Sequence, residues 1–142
     1  MKIVIYCLII VFLAALAYVR LSPMVVDRWH VDPFEIDPPK EGGVLQRFSS
    51  QMGAIATLEA YKTAALATPR TVVLAGSPSE GRMSFVTRTA LWGFPDVTTI
   101  AVRETADSVD VAIFARLRFG KSDLGVNGKR VTAWRAKVEQ AQ

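Results

Sequence analysis

Residues 3–19 are seventeen consecutive apolar positions, bracketed by Lys2 and Arg20. As a helix they extend roughly 25 Å at ~1.5 Å per residue, slightly less than the ~30 Å hydrocarbon core of a bilayer. Tyr6 and Tyr18 lie near the two ends and Trp29 follows, where interfacial aromatics belong. Val25 and Val26 can lengthen the span by sheltering a snorkelling Arg20. A cleaved signal peptide is the competing reading, because Ala15-Leu16-Ala17 offers a small-residue cleavage site. The apolar run continues through that site to Val19, which favours an uncleaved anchor over residues 1–26. Lys2 on a two-residue tail points to a cytoplasmic N-terminus, with the rest of the chain outside the cytoplasm. Membrane lipid is then the expected partner of residues 3–19.

Of the 72 apolar residues this segment takes 17, leaving 55 of the other 125, or 44%, an ordinary globular share. Disorder, a multi-span membrane protein and a disulfide scaffold are excluded. The one cysteine, Cys7, lies inside the apolar run and cannot staple a domain.

Residues 32–43 hold three prolines, two glycines and several acids, the composition of an extended linker, here taken as residues 27–48. A folded α+β domain is expected over residues 49–142. Its first helix is predicted over residues 50–67, capped by Ser49 or Ser50, with Met52, Ile55, Leu58, Tyr61 and Ala65 as its apolar stripe. Four strands are predicted next, over residues 71–75, 82–92, 97–103 and 109–119. In the last, Val109, Val111, Ile113, Ala115 and Leu117 alternate with Asp110, Ala112, Phe114, Arg116 and Arg118. Short links between them predict an antiparallel four-stranded meander. A final helix is expected from about Gly128, capped by Asn127, with Val131, Trp134 and Val138 on one stripe. Both helices should cover the Val111/Ile113 face, making a two-layer domain and leaving the arginine face open.

Catalytic devices are scarce. One histidine and one cysteine inside the apolar run provide no Ser-His-Asp or Cys-His arrangement, and no zinc or iron cluster is present in the sequence. An enzyme is therefore not the expected reading, and no cofactor is expected. His30 and Asp32 could together touch one ion, but an interfacial histidine explains His30 more simply. Residues 76–81 imitate a phosphate loop yet lack its lysine and following helix, so they read as a hairpin turn. Trp92 and Phe94 border a second turn, either as core edges or as an exposed aromatic contact, and Phe114 joins them on the arginine face.

Residues 116–130 carry the densest chemical pattern. Arg116 and Arg118 leave the sheet, Ser122 and Asp123 sit in a glycine-bearing turn, and a helix N-terminus with Asn127 and Arg130 follows. Arginine forks, a hydroxyl and helix N–H groups suit a carboxylate or phosphate. The same residues also satisfy one another, with Asp123 paired to Arg118 or Arg130, and that internal account is the simpler. Residues 82–142 hold 10 Lys/Arg against 6 Asp/Glu, whereas residues 21–81 hold 5 against 7. A basic face outside the cytoplasm has no nucleic acid to meet, and a membrane-protein partner or anionic lipid fits better.

Gly93-Phe94-Pro95-Asp96 together with Arg118-x-Gly120-x-Ser122-Asp123-x-Gly125-x-Asn127-x-x-Arg130 resembles the bacterial and plastid family catalogued as domain of unknown function fourteen ninety-nine. The similarity covers about residues 45–140. Leu117 stands where that family usually has serine, and its Pro-Asn-Cys segment is missing. The resemblance implies a fold and an envelope setting, here a bacterial inner-membrane protein with its domain in the periplasm, and it transfers no activity. The expected function is a membrane-anchored periplasmic binding or scaffold domain, as an accessory subunit of a larger membrane complex. The alternative is a small enzyme or carrier that takes an anionic ligand through Arg118, Ser122, Asp123 and Arg130. Arg88, Arg116 and Asn127 complete the set of candidate contact residues.

Overall fold

The computed structural model describes residues 1–140, so the last two positions of the expected domain lie outside the described residues. Helix α1, Lys2–Leu21, is the apolar run, long and apolar enough to cross a bilayer and with none of its residues buried in the protein. A single-turn helix α2, Val26–Trp29, leads into the folded part. There follow β1 (Gly43–Ser50), α3 (Ala54–Leu66), β2 (Thr71–Ser77), β3 (Arg82–Arg88), β4 (Pro95–Glu104), β5 (Val109–Leu117) and α4 (Val126–Gln140).

The sheet is antiparallel throughout, in the order β1-β5-β4-β3-β2. Strands β2 to β5 are the expected meander, but the sheet has five strands rather than four. The additional strand begins within the stretch read as linker. Only Val44 and Phe48 of β1 pack against the core, with Gln46 between them, so its local alternation is weak. What makes it a strand is its ladder with β5, from Gly43 opposite Arg116 to Ser50 opposite Val109. Such long-range pairing leaves no mark on local periodicity.

The first domain helix starts at Ala54 rather than near residue 50, because Ser50 ends β1 and its hydroxyl accepts the Met52 N–H at 3.1 Å. Its buried residues are Thr57, Leu58, Tyr61, Ala64 and Ala65, while Ile55 points to solvent. Helices α3 and α4 cover one sheet face, as the alternation predicts. Their core joins Leu58, Tyr61, Val131, Trp134 and Val138 to Met83, Phe85, Ile100, Val111 and Ile113. Trp134 anchors it, edge-on to Phe85 at 5.8 Å, with its indole N–H donated to Thr68 at 2.8 Å.

The opposite sheet face is not open. Residues 22–36 lie across it, and Trp29 forms a second, smaller apolar cluster with Val86 and Val97.

Candidate functional site

Two arginines of the row, Arg116 and Arg118, are spent on this covering segment, and Arg88 bonds α1 and the β3–β4 loop beside it. Arg116 donates to the Arg28 carbonyl at 2.8 Å, and its guanidinium stacks between Trp29 (4.5 Å) and Phe114 (5.1 Å). Burial and the nearby Arg28 lower its pKa. Arg118 donates to the carbonyls of Ser22 and Pro23 and to the Ser22 hydroxyl. Arg88 donates to the carbonyls of Gly93 (3.0 Å) and Val19 (3.4 Å). The chain leaving a helix end carries carbonyls that lack a partner, and planar guanidinium forks meet them. Phe114, expected as an exposed contact, is buried under Arg116.

His30 is seated on the same face rather than at a bilayer interface. Its Nε2 accepts from Arg82 Nε at 3.1 Å, so Nδ1 carries the proton and donates to Ser84 Oγ at 2.8 Å. Ser84 in turn meets Thr99 at 2.7 Å, and Thr99 donates to the Trp29 carbonyl at 3.3 Å. Desolvation, then the Arg82 charge, lower the His30 pKa, against a smaller opposing effect of Glu80. Gly76 makes room for this ring: its φ is 83°, and a Cβ there would stand 2.9 Å from His30 Cε1. Asp32 pairs with Arg103 at 3.0 Å and lies 3.9 Å from Arg82. Burial alone raises the Asp32 carboxyl, but the Phe34 N–H and Arg103 outweigh it and hold it below the usual range. One signal for this docking was present in the sequence: the acidic first half and basic second half are complementary charges of one chain.

On the helix-covered face the two motifs of the resemblance do converge. Asp96, the second residue of β4, lies opposite Leu117. Its carboxylate takes the Arg130 guanidinium at 3.0 Å, an ion pair whose side chains are only 9% and 6% exposed. Arg130 also donates to Asn127 Oδ1 at 2.8 Å. Desolvation pushes the Asp96 pKa up, Arg130 opposes it, and the charge of Asp123 adds to the rise. Asp123, expected to pair with Arg118 or Arg130, pairs with neither. It is the cap of α4, accepting the N–H groups of Asn127 (2.8 Å) and Gly125 (3.1 Å). Those amides outweigh burial and keep its pKa low. Asn127, expected as the cap, is inside the helix and wholly buried, because the turn through Leu124 (φ 52°) and Gly125 (φ 77°) starts α4 earlier. Ser122 accepts the Leu124 N–H at 3.2 Å.

A cavity of about 320 Å³ opens beside this pair, walled by Phe94, Leu117, Phe119 and Val126 and edged by Asp96, Ser122 and Asp123. Its charge is the reverse of that read from the sequence: carboxylates face it, while Arg118 points to the other side of the sheet. The aromatic residues turn towards α1. Phe119 touches Tyr18 (6.0 Å) and Phe94 (6.2 Å), and Trp92 stands edge-on to Phe12 (5.8 Å). Among the described residues no group of three His, Cys, Asp or Glu side chains is placed to hold a metal.

Against known proteins, the profile of the family described as Protein of unknown function (DUF1499) matches residues 27–138. No curated protein matches the chain. The crystal structure of protein MLL2253 from Mesorhizobium loti aligns with a TM-score of 0.50 at 12% identity, covering 69% of this chain and 94% of that one, a likeness of fold. Protein CV1439 from Chromobacterium violaceum aligns with a TM-score of 0.47 at 13% identity, covering 70% and 94%.

Proposed function

The chain belongs to the DUF1499 family, whose description assigns no activity, and from its own geometry we propose a membrane-anchored binding or scaffold domain. In this reading α1 spans the bacterial inner membrane with Lys2 in the cytoplasm, and the sheet with its two helices sits in the periplasm. There it serves as an accessory subunit of a larger membrane assembly. The observation that carries the proposal is the grip of the domain on the C-terminal end of an otherwise uncovered apolar helix. Arg88, Arg118 and Arg20 each bond across that junction, Arg20 to the Leu91 carbonyl at 2.8 Å. Trp92 and Phe119 add aromatic contacts to Phe12 and Tyr18. A segment destined for removal has no need of so many bonds to the mature fold. The anion-carrier alternative loses support, since Arg118 and Arg130 lie on opposite faces and Arg130 is neutralised by Asp96.

Extraction from membranes in several mild detergents, followed by intact-mass measurement and size-exclusion chromatography, tests both halves. The expected result is an uncleaved chain of 15.6 kDa that co-elutes with a stoichiometric membrane protein. A chain shortened by its first helix overturns the anchor, and a lone monomer in every detergent overturns the accessory role.

A further inference from the structure

The loop of residues 89–94, between β3 and β4, runs back along α1. Phe12, which Trp92 meets edge-on, lies about 13 Å before the end of the helix at ~1.5 Å per residue. Trp92 and Phe94 close an apolar cleft of about 130 Å³ against Phe12, Ala15, Leu16 and Val19. Leu91, at the tip, is 70% exposed. The loop meets many of its backbone polar groups internally, as hydrocarbon surroundings demand. Thr89 N–H bonds the Phe94 carbonyl, Gly93 N–H the Thr89 carbonyl, and Phe94 N–H the Thr89 hydroxyl. The carbonyls of Leu91 and Gly93 are taken by Arg20 and Arg88.

Next to this tip, where α1 ends, Arg20, Arg70 and Arg88 frame a cavity of about 390 Å³ with Val72, Val86 and Gly93. Each arginine is steadied by a backbone carbonyl: Arg70 Nε donates to the Arg88 carbonyl at 3.1 Å, and the other two bond the tip. A carbonyl orients a guanidinium without neutralising it. Among the described residues these three form no salt bridge, whereas Arg82, Arg103, Arg130 and Arg135 all do. Gly93 is required here, with φ 73° and a Cβ that would fall 2.9 Å from Arg20 Cγ. Three unneutralised forks around one concavity match the oxygens of a phosphate.

We infer that this cavity takes the phosphate of an anionic phospholipid from the leaflet in which α1 ends, its acyl chains lying beside Leu91 and Trp92. The inference rests on the membrane-spanning reading of α1. Charge complementarity and the continuity of the cavity with the apolar tip select a lipid over a soluble anion. The β3–β4 loop is then a second membrane contact, and the bound lipid fixes the domain's height on the bilayer.

The test uses the full chain in phosphatidylcholine vesicles containing phosphatidylglycerol, with bromine on the acyl chains of one lipid or the other. Bromine quenches tryptophan at contact, and subtracting the Trp92→Phe signal isolates Trp92 from Trp29 and Trp134, which are buried in the domain. Brominated phosphatidylglycerol is expected to quench Trp92 more than brominated phosphatidylcholine at equal mole fraction. In an Arg20→Gln/Arg70→Gln variant that preference falls by about fivefold for each arginine removed, and high salt weakens it in the wild type. The variant's unfolding midpoint serves as the check on its fold. Equal quenching by the two lipids overturns the phosphate site and leaves the anchor standing. No quenching of Trp92 by either lipid overturns the anchor as well. A preference unchanged in the double variant overturns the role of these arginines. If millimolar inorganic phosphate raises the unfolding midpoint in detergent and abolishes the preference, the occupant is free phosphate and the lipid assignment falls.

Discussion

The two faces of the sheet are covered in different ways. On one, α3 and α4 bury a continuous apolar core in which Leu58, Ile113 and Val131 are fully inaccessible. On the other, residues 22–36 are held by one tryptophan, one histidine and a set of arginines that bond backbone carbonyls. The first cover is stabilised by area removed from water, which is non-directional and large. The second depends on directional bonds at partly exposed sites, each worth little more than the water it displaces. A face held in the second way can open while the first stays intact. The junction with α1 therefore depends on the less stable of the two covers.

The largest expected effect tests that asymmetry directly. Trp134→Ala removes the anchor of the helix-covered core and should cost about 4 kcal/mol in denaturant unfolding, within the range for tryptophan truncation in a core. Trp29→Ala should cost about 2 kcal/mol, because its segment can undock without unfolding the sheet. Hydrogen exchange separates the two. Trp29→Ala should deprotect residues 22–36 and leave β3 to β5 protected, and equal deprotection of both regions would erase the distinction between the faces.

A smaller effect comes from pH. In the unfolded chain His30 takes a proton near 6.5, and when docked it takes one only at lower pH. Its contribution to docking is thus fully present above about 6.5 and is lost as pH falls through the lower, docked value. The groups facing the ring are Arg82, whose Nε donates to it, the more distant Glu80, and Asp32, which lies 3.9 Å from Arg82. A protonated ring would set an N–H against the Arg82 N–H. Acidification from pH 7.5 to 5 should lower the protection factors of residues 22–36, each taken against the intrinsic exchange rate at that pH, but not those of α4, and His30→Gln should flatten that response. Protection factors that fall equally in both regions would remove the pH contrast between the faces.

The helix-covered face was legible in the sequence because its signal is periodic. The alternation of Val109, Val111 and Ile113 and the helical spacing of Val131, Trp134 and Val138 report burial directly. The other face was not legible for two reasons. Arg88, Arg116 and Arg118 look solvated by composition, and no sequence pattern shows that a guanidinium will meet the carbonyl of residue 19, 22 or 28. The proline-rich segment that carries Asp32 reads as extended, yet it docks through Arg82 and Arg103, which lie fifty and more positions away in the chain. In the candidate site the two motifs of the resemblance hold Asp96, Asp123, Asn127 and Arg130, and these residues do assemble. The motifs did not reveal which carboxylate each partner takes, since the turn at Leu124 and Gly125 decides where α4 begins.

The smallest effect belongs to Asp123, on the rim of the helix-covered face, where polar bonding resembles that of the opposite side. Removing its cap in Asp123→Ala should cost about 1 kcal/mol, and Asp123→Asn, which keeps an acceptor, about half as much. The acid limb carries more information than the size of the loss. Asp123 titrates below 3.8 in the fold, so its contribution is present above that value and is lost as pH falls through the depressed one. Asp96 is raised by burial, partly through the charge of Asp123, so its contribution has the opposite sign: present below 3.8 and lost as pH rises through the folded value. In wild type the two oppose each other. In Asp123→Asn the first is gone and the second is reduced, so acidification below pH 4 should no longer draw stability from this site, and only the smaller gain from Asp96 remains. The Asp96 carboxyl, followed by carbon-13 NMR, should titrate at lower pH in that variant. An unchanged Asp96 titration would mean that the two carboxylates are not coupled across the cavity, and the rim would then be a set of separate caps.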